Sequence, residues 1–187
     1  MRKNARTRSL LNAATVLAGA GVLLLPCPGT GQAATRGAPA VITEGFYQLV
    51  NDQTGKCATV IGGTSAANSL PLVQFDCDSH PSRRWNITHR TEGAYWLVNG
   101  QTGKCATVAG GTTTANSHPL VQFDCDTHPS RRWYFESRGQ DAYRISNGQT
   151  GKCATVAGGT TTANSHPLVQ FDCDTHPSRE WTLRRVG

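Results

Sequence analysis

NGQTGKCATVAGGTTTANSHPLVQFDCDTHPSR, residues 99–131, recurs letter for letter as residues 147–179. A looser copy, NDQTGKCATVIGGTSAANSLPLVQFDCDSHPSR, fills residues 51–83, so the repeat distance is 48 residues. One supersecondary unit has been copied, and the copies must bury their apolar faces against each other. A closed arrangement of three copies also removes the sheet edges that an open stack would expose.

Within the second copy the elements are short. Tyr95-Trp96-Leu97-Val98-Asn99 reads as a strand, and Gly100-Gln101-Thr102-Gly103 supplies a turn. Lys104 to Val108 is a second strand, and the stretch from Gly110-Gly111 to Pro119 is a polar loop. Leu120 to Cys125 makes a third strand, residues 126–130 turn again, and Arg132-Trp133-Tyr134-Phe135 opens a fourth. No segment carries a helical hydrophobic period. Four strands in each of three copies give twelve, and a propeller would need a fourth blade. The pattern predicts an all-β chain, a β-trefoil with a six-stranded barrel capped by three hairpins. Ala106 and Val108 then face inward, Trp85, Trp133 and Trp181 fill the core, and Thr107 points outward by strand alternation.

Outside the repeats, the chain opens on Arg2, Lys3, Arg6 and Arg8. An apolar run from Ala13 to Leu25 follows, then the small residues Gly31-Gln32-Ala33-Ala34. This order is that of a secretory signal peptide over residues 1–34, cleaved after Ala33 or Ala34, and its apolar stretch is short for a membrane span. Cys27 suggests a lipoprotein anchor, but Pro26 stands where such a signal carries a small residue. Residues 35–44 read as a short linker and residues 45–187 as one domain, with repeats at about 45–93, 94–141 and 142–187.

Removal of the leader takes four cations from a formal charge of +6 and leaves +2. Nucleic-acid binding thereby loses its main support. Removal of Cys27 also turns seven cysteines into six. Cys57 and Cys77, Cys105 and Cys125, and Cys153 and Cys173 each stand 20 positions apart. Export to an oxidising compartment predicts three disulfides within repeats, each closing a loop that stabilises by about 3 kcal/mol. Isolated cysteines without a CxxC partner fit zinc poorly.

The succession Gly-Lys-Cys-x-x-Val, a Gly-Gly loop, Leu-Val-Gln-Phe-Asp-Cys and a Trp eight residues beyond that Cys resembles the ricin-type lectin repeat. All three copies carry it, in register. The resemblance implies a β-trefoil carbohydrate-binding protein with up to three weak glycan sites. In that family a sugar site combines an Asp after the first Cys, an outward aromatic before the second, and an Asn-Gln pair near the Trp. Here Thr59, Thr107 and Thr155 replace the Asp. Phe75, Phe123 and Phe171 hold the aromatic position, and Arg83, Arg131 and Arg179 replace the Gln, each after a Ser (Ser82, Ser130, Ser178).

A carboxylate accepts two sugar hydroxyls with charge-assisted bonds, whereas threonine offers one weaker hydroxyl. Two dispositions follow. Phe presents a face to a pyranose and Arg bonds its hydroxyls, or Phe is core and Arg a solvated stand-in. The loop Asp-Cys-Asp-x-His can also rebuild the site, with Asp78, Asp126 and Asp174 as acceptors beside His80, His128 and His176. The same loop, with Asp124, Asp126 and His128, raises a metal site, but it offers no dense oxygen cage and no metal is expected. His118 and His166 are absent from the first copy, where Leu70 stands, and cannot serve all three.

No Ser-His-Asp order, nucleophile elbow or unlike carboxylate pair is present, so no enzyme and no cofactor is expected. The reading is a secreted, extracellular, monomeric lectin acting multivalently on a glycan or polysaccharide, with no nucleic acid and no membrane span in the mature chain. The alternatives are a protein-binding trefoil, such as a secreted protease inhibitor, and a structural trefoil that has lost sugar binding. An inhibitor needs one distinctive loop, whereas this chain repeats one loop three times.

Overall fold

The structure, a computed structural model, describes residues 39–187. The expected leader with its cleavage point, Cys27 and the first residues of the linker lie outside the described residues. The first repeat forms β1 (Gly45–Asn51), β2 (Cys57–Val60), β3 (Leu72–Phe75) and β4 (Trp85–His89). The second forms β5 (Tyr95–Asn99), β6 (Cys105–Val108), β7 (His118–Phe123) and β8 (Trp133–Gly139). The third forms β9 (Ala142–Asn147), β10 (Cys153–Val156), β11 (His166–Phe171) and β12 (Glu180–Arg185).

The first and fourth strands of the repeats close a six-membered antiparallel ring in the order β1-β4-β5-β8-β9-β12, and β12 returns to β1. The hairpins β2–β3, β6–β7 and β10–β11 cap one end. Their outer strands also pair with one another, β11 with both β3 and β7, and Pro71 bridges Val121. The fold is the expected β-trefoil.

Alternation explains the core. Ala58, Ala106 and Ala154 point into the barrel, as do Val60, Val108 and Val156. Trp85, Trp133 and Trp181 are at most 1% exposed. Each indole N–H donates to the carbonyl of the Ala in its own repeat, at 2.9–3.0 Å, so the polar end of each large apolar group is satisfied. These Trp and Ala residues, with Leu72, Leu120, Leu168 and Leu49, Leu97, Ile145, line a small apolar cavity on the pseudo-threefold axis.

Within the segment expected as a linker, residues 39–44 pack onto the barrel. Ile42 is buried and its N–H donates to the Tyr95 hydroxyl, while Ala40 N–H donates to Phe135 O. An apolar side chain at the open end of the barrel removes Tyr95 and Phe135 from water, which a solvated linker would not do.

Two cyclic hydrogen-bond systems join the repeats. Gln74, Gln122 and Gln170 are fully buried and each amide donates to two carbonyls of another repeat's polar loop, Gln122 to Ser65 and Ala67, for example. In the same sense around the axis Asn99, Asn147 and Asn51 donate to Ser82 O, Ser130 O and Ser178 O. Every repeat therefore holds both of the others.

Candidate carbohydrate-binding site

The polar cluster of each repeat is built on a braced turn. The disulfides Cys57–Cys77, Cys105–Cys125 and Cys153–Cys173 pair as expected, each tying the inner strand of a hairpin to the loop that follows its outer strand. After that loop comes a single 3-10 turn, Pro81–Arg83, Pro129–Arg131 or Pro177–Arg179. Proline suits its first position because φ is already fixed and no N–H is lost. The preceding His caps the turn. His80 Nδ1 accepts the Ser82 N–H at 3.2 Å, and His128 and His176 do the same for Ser130 and Ser178. An accepting Nδ1 leaves the ring proton on Nε2.

The cap is itself capped. Asp78 Oδ1 accepts the His80 N–H at 2.9 Å, a bond repeated at Asp126 and Asp174. The carboxylates remain about half exposed (49%, 48% and 49% of the side chain) while leaning on Arg83, Arg131 and Arg179 at 3.4, 3.3 and 3.2 Å. In the first and third repeats the contact is from Arg Nε, at ion-pair distance but without the alignment of a hydrogen bond.

The structure corrects the expected disposition of three groups. Thr59, Thr107 and Thr155 do point away from the barrel interior, but that side is covered and each is 1% exposed. Their hydroxyls donate to Ser82 O, Ser130 O and Ser178 O at 2.9–3.0 Å, underneath the 3-10 turn. Arg83, Arg131 and Arg179 are not solvated, being 7–8% exposed, with NH1 donating to the buried Ser hydroxyl at 2.6–2.7 Å. Each guanidinium lies over the ring of Phe75, Phe123 or Phe171, 4.4–4.6 Å from the centroid. The half-buried Phe therefore has a cation on one face, where the platform reading would place a sugar.

Ser82, His80 and Asp78 share the composition of a hydrolytic triad without its geometry. Ser82 is fully buried, its Oγ accepts from Arg83, and Asp78 bonds the His80 backbone and not its ring. Thr, Ser, His, Arg and Asp instead form one structural network, whose outward groups are the carboxylate and the imidazole. Gly63 closes it from the side. Its φ is +75°, and a Cβ there would stand 3.2 Å from Ser82 Oγ and 3.5 Å from the imidazole. Among the described residues no group of His, Cys, Asp or Glu could hold a metal ion, and no helix is long and apolar enough to cross a membrane.

Beside the cluster lies a contact between repeats. Lys56 pairs with Asp76, Lys104 with Asp124 and Lys152 with Asp172, and each Asp also accepts from the Asn of another repeat's loop. The Asn164 amide, then Lys56, holds the Asp76 carboxyl below its usual range, and Asn116, then Lys152, does so for Asp172. For Asp124 the Lys104 ammonium is the larger cause and Asn68 the second. The role of Ser82, of the buried Gln and of these Asn residues was not read from sequence, although each is repeated three times.

The closed barrel, the three hairpins and the three disulfide-braced clusters define a β-trefoil of lectin type. A comparison with protein families matches residues 45–184 to the ricin-type beta-trefoil lectin domain, and the chain belongs to that family. A search by sequence among curated proteins returns no match. Among solved structures, the designed threefold-symmetric protein ThreeFoil is similar at TM-score 0.72 and 20% identity, covering 75% of this chain and 99% of that one. The exo-beta-1,3-galactanase 1,3Gal43A from Clostridium thermocellum is similar at TM-score 0.72 and 24% identity, covering 79% of this chain and 31% of the enzyme. The Macrolepiota procera ricin B-like lectin, solved in complex with lactose, is similar at TM-score 0.62 and 16% identity, covering 79% and 99%. At these identities the likeness establishes the shared fold.

Proposed function

We propose that the protein is a secreted, monomeric carbohydrate-binding lectin with three equivalent-facing glycan sites that act together on a polysaccharide or a glycan-coated surface. The observation that carries this reading is the threefold recurrence of an exposed carboxylate fixed on a braced turn. Asp78, Asp126 and Asp174 each keep about half of the side chain in water while Arg and a backbone N–H hold the group in place. A prepositioned carboxylate accepts sugar hydroxyls with charge-assisted bonds and little ordering cost. His80, His128 and His176 offer an Nε2–H donor on the same turn, and the uncovered part of each Phe offers apolar contact to sugar C–H groups. The buried Thr and Arg support the turn and do not touch ligand.

Membership of a lectin family and the lactose-bound relative favour a glycan over a protein partner. The polar loops that an inhibitor would project are tied down here, by Gln74, Gln122 and Gln170. The test is affinity electrophoresis of residues 35–187 in gels containing galactan or xylan. The parent is expected to be retarded, and the triple variant Asp78→Asn, Asp126→Asn, Asp174→Asn is expected to run as in a sugar-free gel with an unchanged circular dichroism spectrum. Equal retardation of parent and triple variant would remove the carboxylates from the site.

A further inference from the structure

The three clusters are identical in sequence from the Gly-Gly loop's second glycine through the cap, apart from Ser79 against Thr127 and Thr175 and differences in the polar loop, yet their surroundings are not. One neighbouring position on the first strand of each repeat differs in kind: Gln48, Trp96 and Arg144. Gln48 Nε2 donates to the carbonyl of Asp78 at 2.7 Å, and Arg144 NH2 donates to the carbonyl of Asp174 at 2.8 Å. This position therefore stands against the cluster's own loop. In the second repeat it holds an indole, which makes no hydrogen bond to Asp126 among the described residues.

Two further observations set the second cluster apart. Arg90 lies over the Trp96 ring at 3.6 Å, fixing the indole from one side, while Trp96 remains only half-buried. Its Nε1 makes no hydrogen bond to another of the described residues. Arg131 is also turned differently from its counterparts. Its Nε donates to Asp124 O and its NH2 to Asp126 Oδ2, whereas Arg83 and Arg179 direct Nε at Oδ1.

We propose that Trp96 is a specificity-determining residue that makes the second cluster the principal site, binding a neutral pyranose between the indole and the Asp126 carboxylate. An aromatic surface held rigid by a stacked guanidinium contributes apolar contact at low entropic cost, and the indole N–H is a donor suited to a ring hydroxyl. Gln48 and Arg144 spend their polar ends on the loop carbonyl and offer no such surface. This inference rests on the glycan-binding reading above.

Fluorescence isolates the second site, because Trp85, Trp133 and Trp181 are at most 1% exposed and Trp96 is the remaining Trp of the four in the chain. Lactose and xylotetraose are titrated into the protein with acrylamide quenching as the readout, alongside affinity electrophoresis in galactan and xylan gels. Sugar is expected to protect the parent from acrylamide. Trp96→Gln, which installs the first repeat's residue, should abolish that protection and weaken retention about tenfold, the upper end of an aromatic contact. Trp96→Phe should retain most of the binding, and Gln48→Trp should strengthen it. Retention unchanged in Trp96→Gln, while Asp126→Asn lowers it, overturns this inference and leaves the lectin reading intact. Retained parent protein whose quenching does not respond to sugar overturns it as well. A parent retarded in neither gel overturns the lectin reading and this inference with it.

Discussion

Thr107 stands where the family's pattern has an Asp, and its hydroxyl braces the 3-10 turn. Its hydroxyl lies 3.0 Å from Ser130 O and 2.9 Å from Ser130 Oγ, and Arg131 NH1 donates to it at 3.1 Å. Thr107→Val keeps the shape and removes these bonds, while Asn147 still bonds Ser130 O and Arg131 still bonds Ser130 Oγ, so we expect a loss of about 0.5–1.5 kcal/mol in urea unfolding, with sugar binding at the other repeats unchanged. Gly111 is a second such position. At φ +81°, with a Cβ 3.2 Å from His128 Cε1 and 3.4 Å from Ser130 Oγ, Gly111→Ala strains the backbone and pushes on the cap. A cost of about 1–3 kcal/mol is expected from the left-handed conformation alone, readable in the same assay. At this scale the sequence was legible where alternation decides, as at Ala106 and Val108, and misleading where it does not. Alternation says that Thr107 leaves the barrel interior. It does not say that the 3-10 turn of residues 129–131 folds back over it, because that depends on His128 capping and on Arg131 lying down on Phe123.

The hairpins and loops carry the interactions between repeats, and there the ionisable groups are legible only in three dimensions. Asp76 belongs to the first repeat, and Asn164, which bonds it, to the third, 88 positions away. Nothing in one copy of the repeat announces such a partner. The strands themselves were readable, since turn residues and period-two runs mark their bounds. The Lys and Asn partners hold the folded-state carboxyls of Asp76, Asp124 and Asp172 below the ordinary aspartate value of 3.8. The stabilisation is therefore present in full above that value and is lost as pH falls through the lower folded-state values. The midpoint of urea unfolding should decline as pH drops below 3.8, and less steeply at high salt, because these carboxylates are exposed and their Lys partners screened. In the triple variant Asn68→Ala, Asn116→Ala, Asn164→Ala, carboxyl titrations followed by NMR should move up toward 3.8. Unmoved titration curves would show that the loops do not hold these carboxylates in solution.

Closure of the barrel by β12 on β1 fixes the three clusters on one body, and rigidity determines what three weak contacts can do together. On the proposed reading, a shallow site made of a carboxylate, an imidazole and a partial ring face would bind a monosaccharide at about millimolar strength, or about 4 kcal/mol. Once one site is engaged on a long chain, the others meet ligand at an effective concentration set by the spacing of the sites, not by bulk sugar. Asp→Asn is the apt change for testing this, since asparagine keeps the acceptor for the His80, His128 or His176 N–H and removes only the charge, which faces both ligand and the neighbouring Arg. Introduced one, two and three at a time at Asp78, Asp126 and Asp174, it should lower retention on insoluble polysaccharide in more than proportional steps. Monosaccharide affinity at each remaining site should stay constant. Steps that merely add, in proportion to the number of intact carboxylates, would mean that the sites never engage one chain together. Abolition of polysaccharide retention by Asp126→Asn alone would mean that the second cluster carries the binding by itself and that the first and third serve the fold.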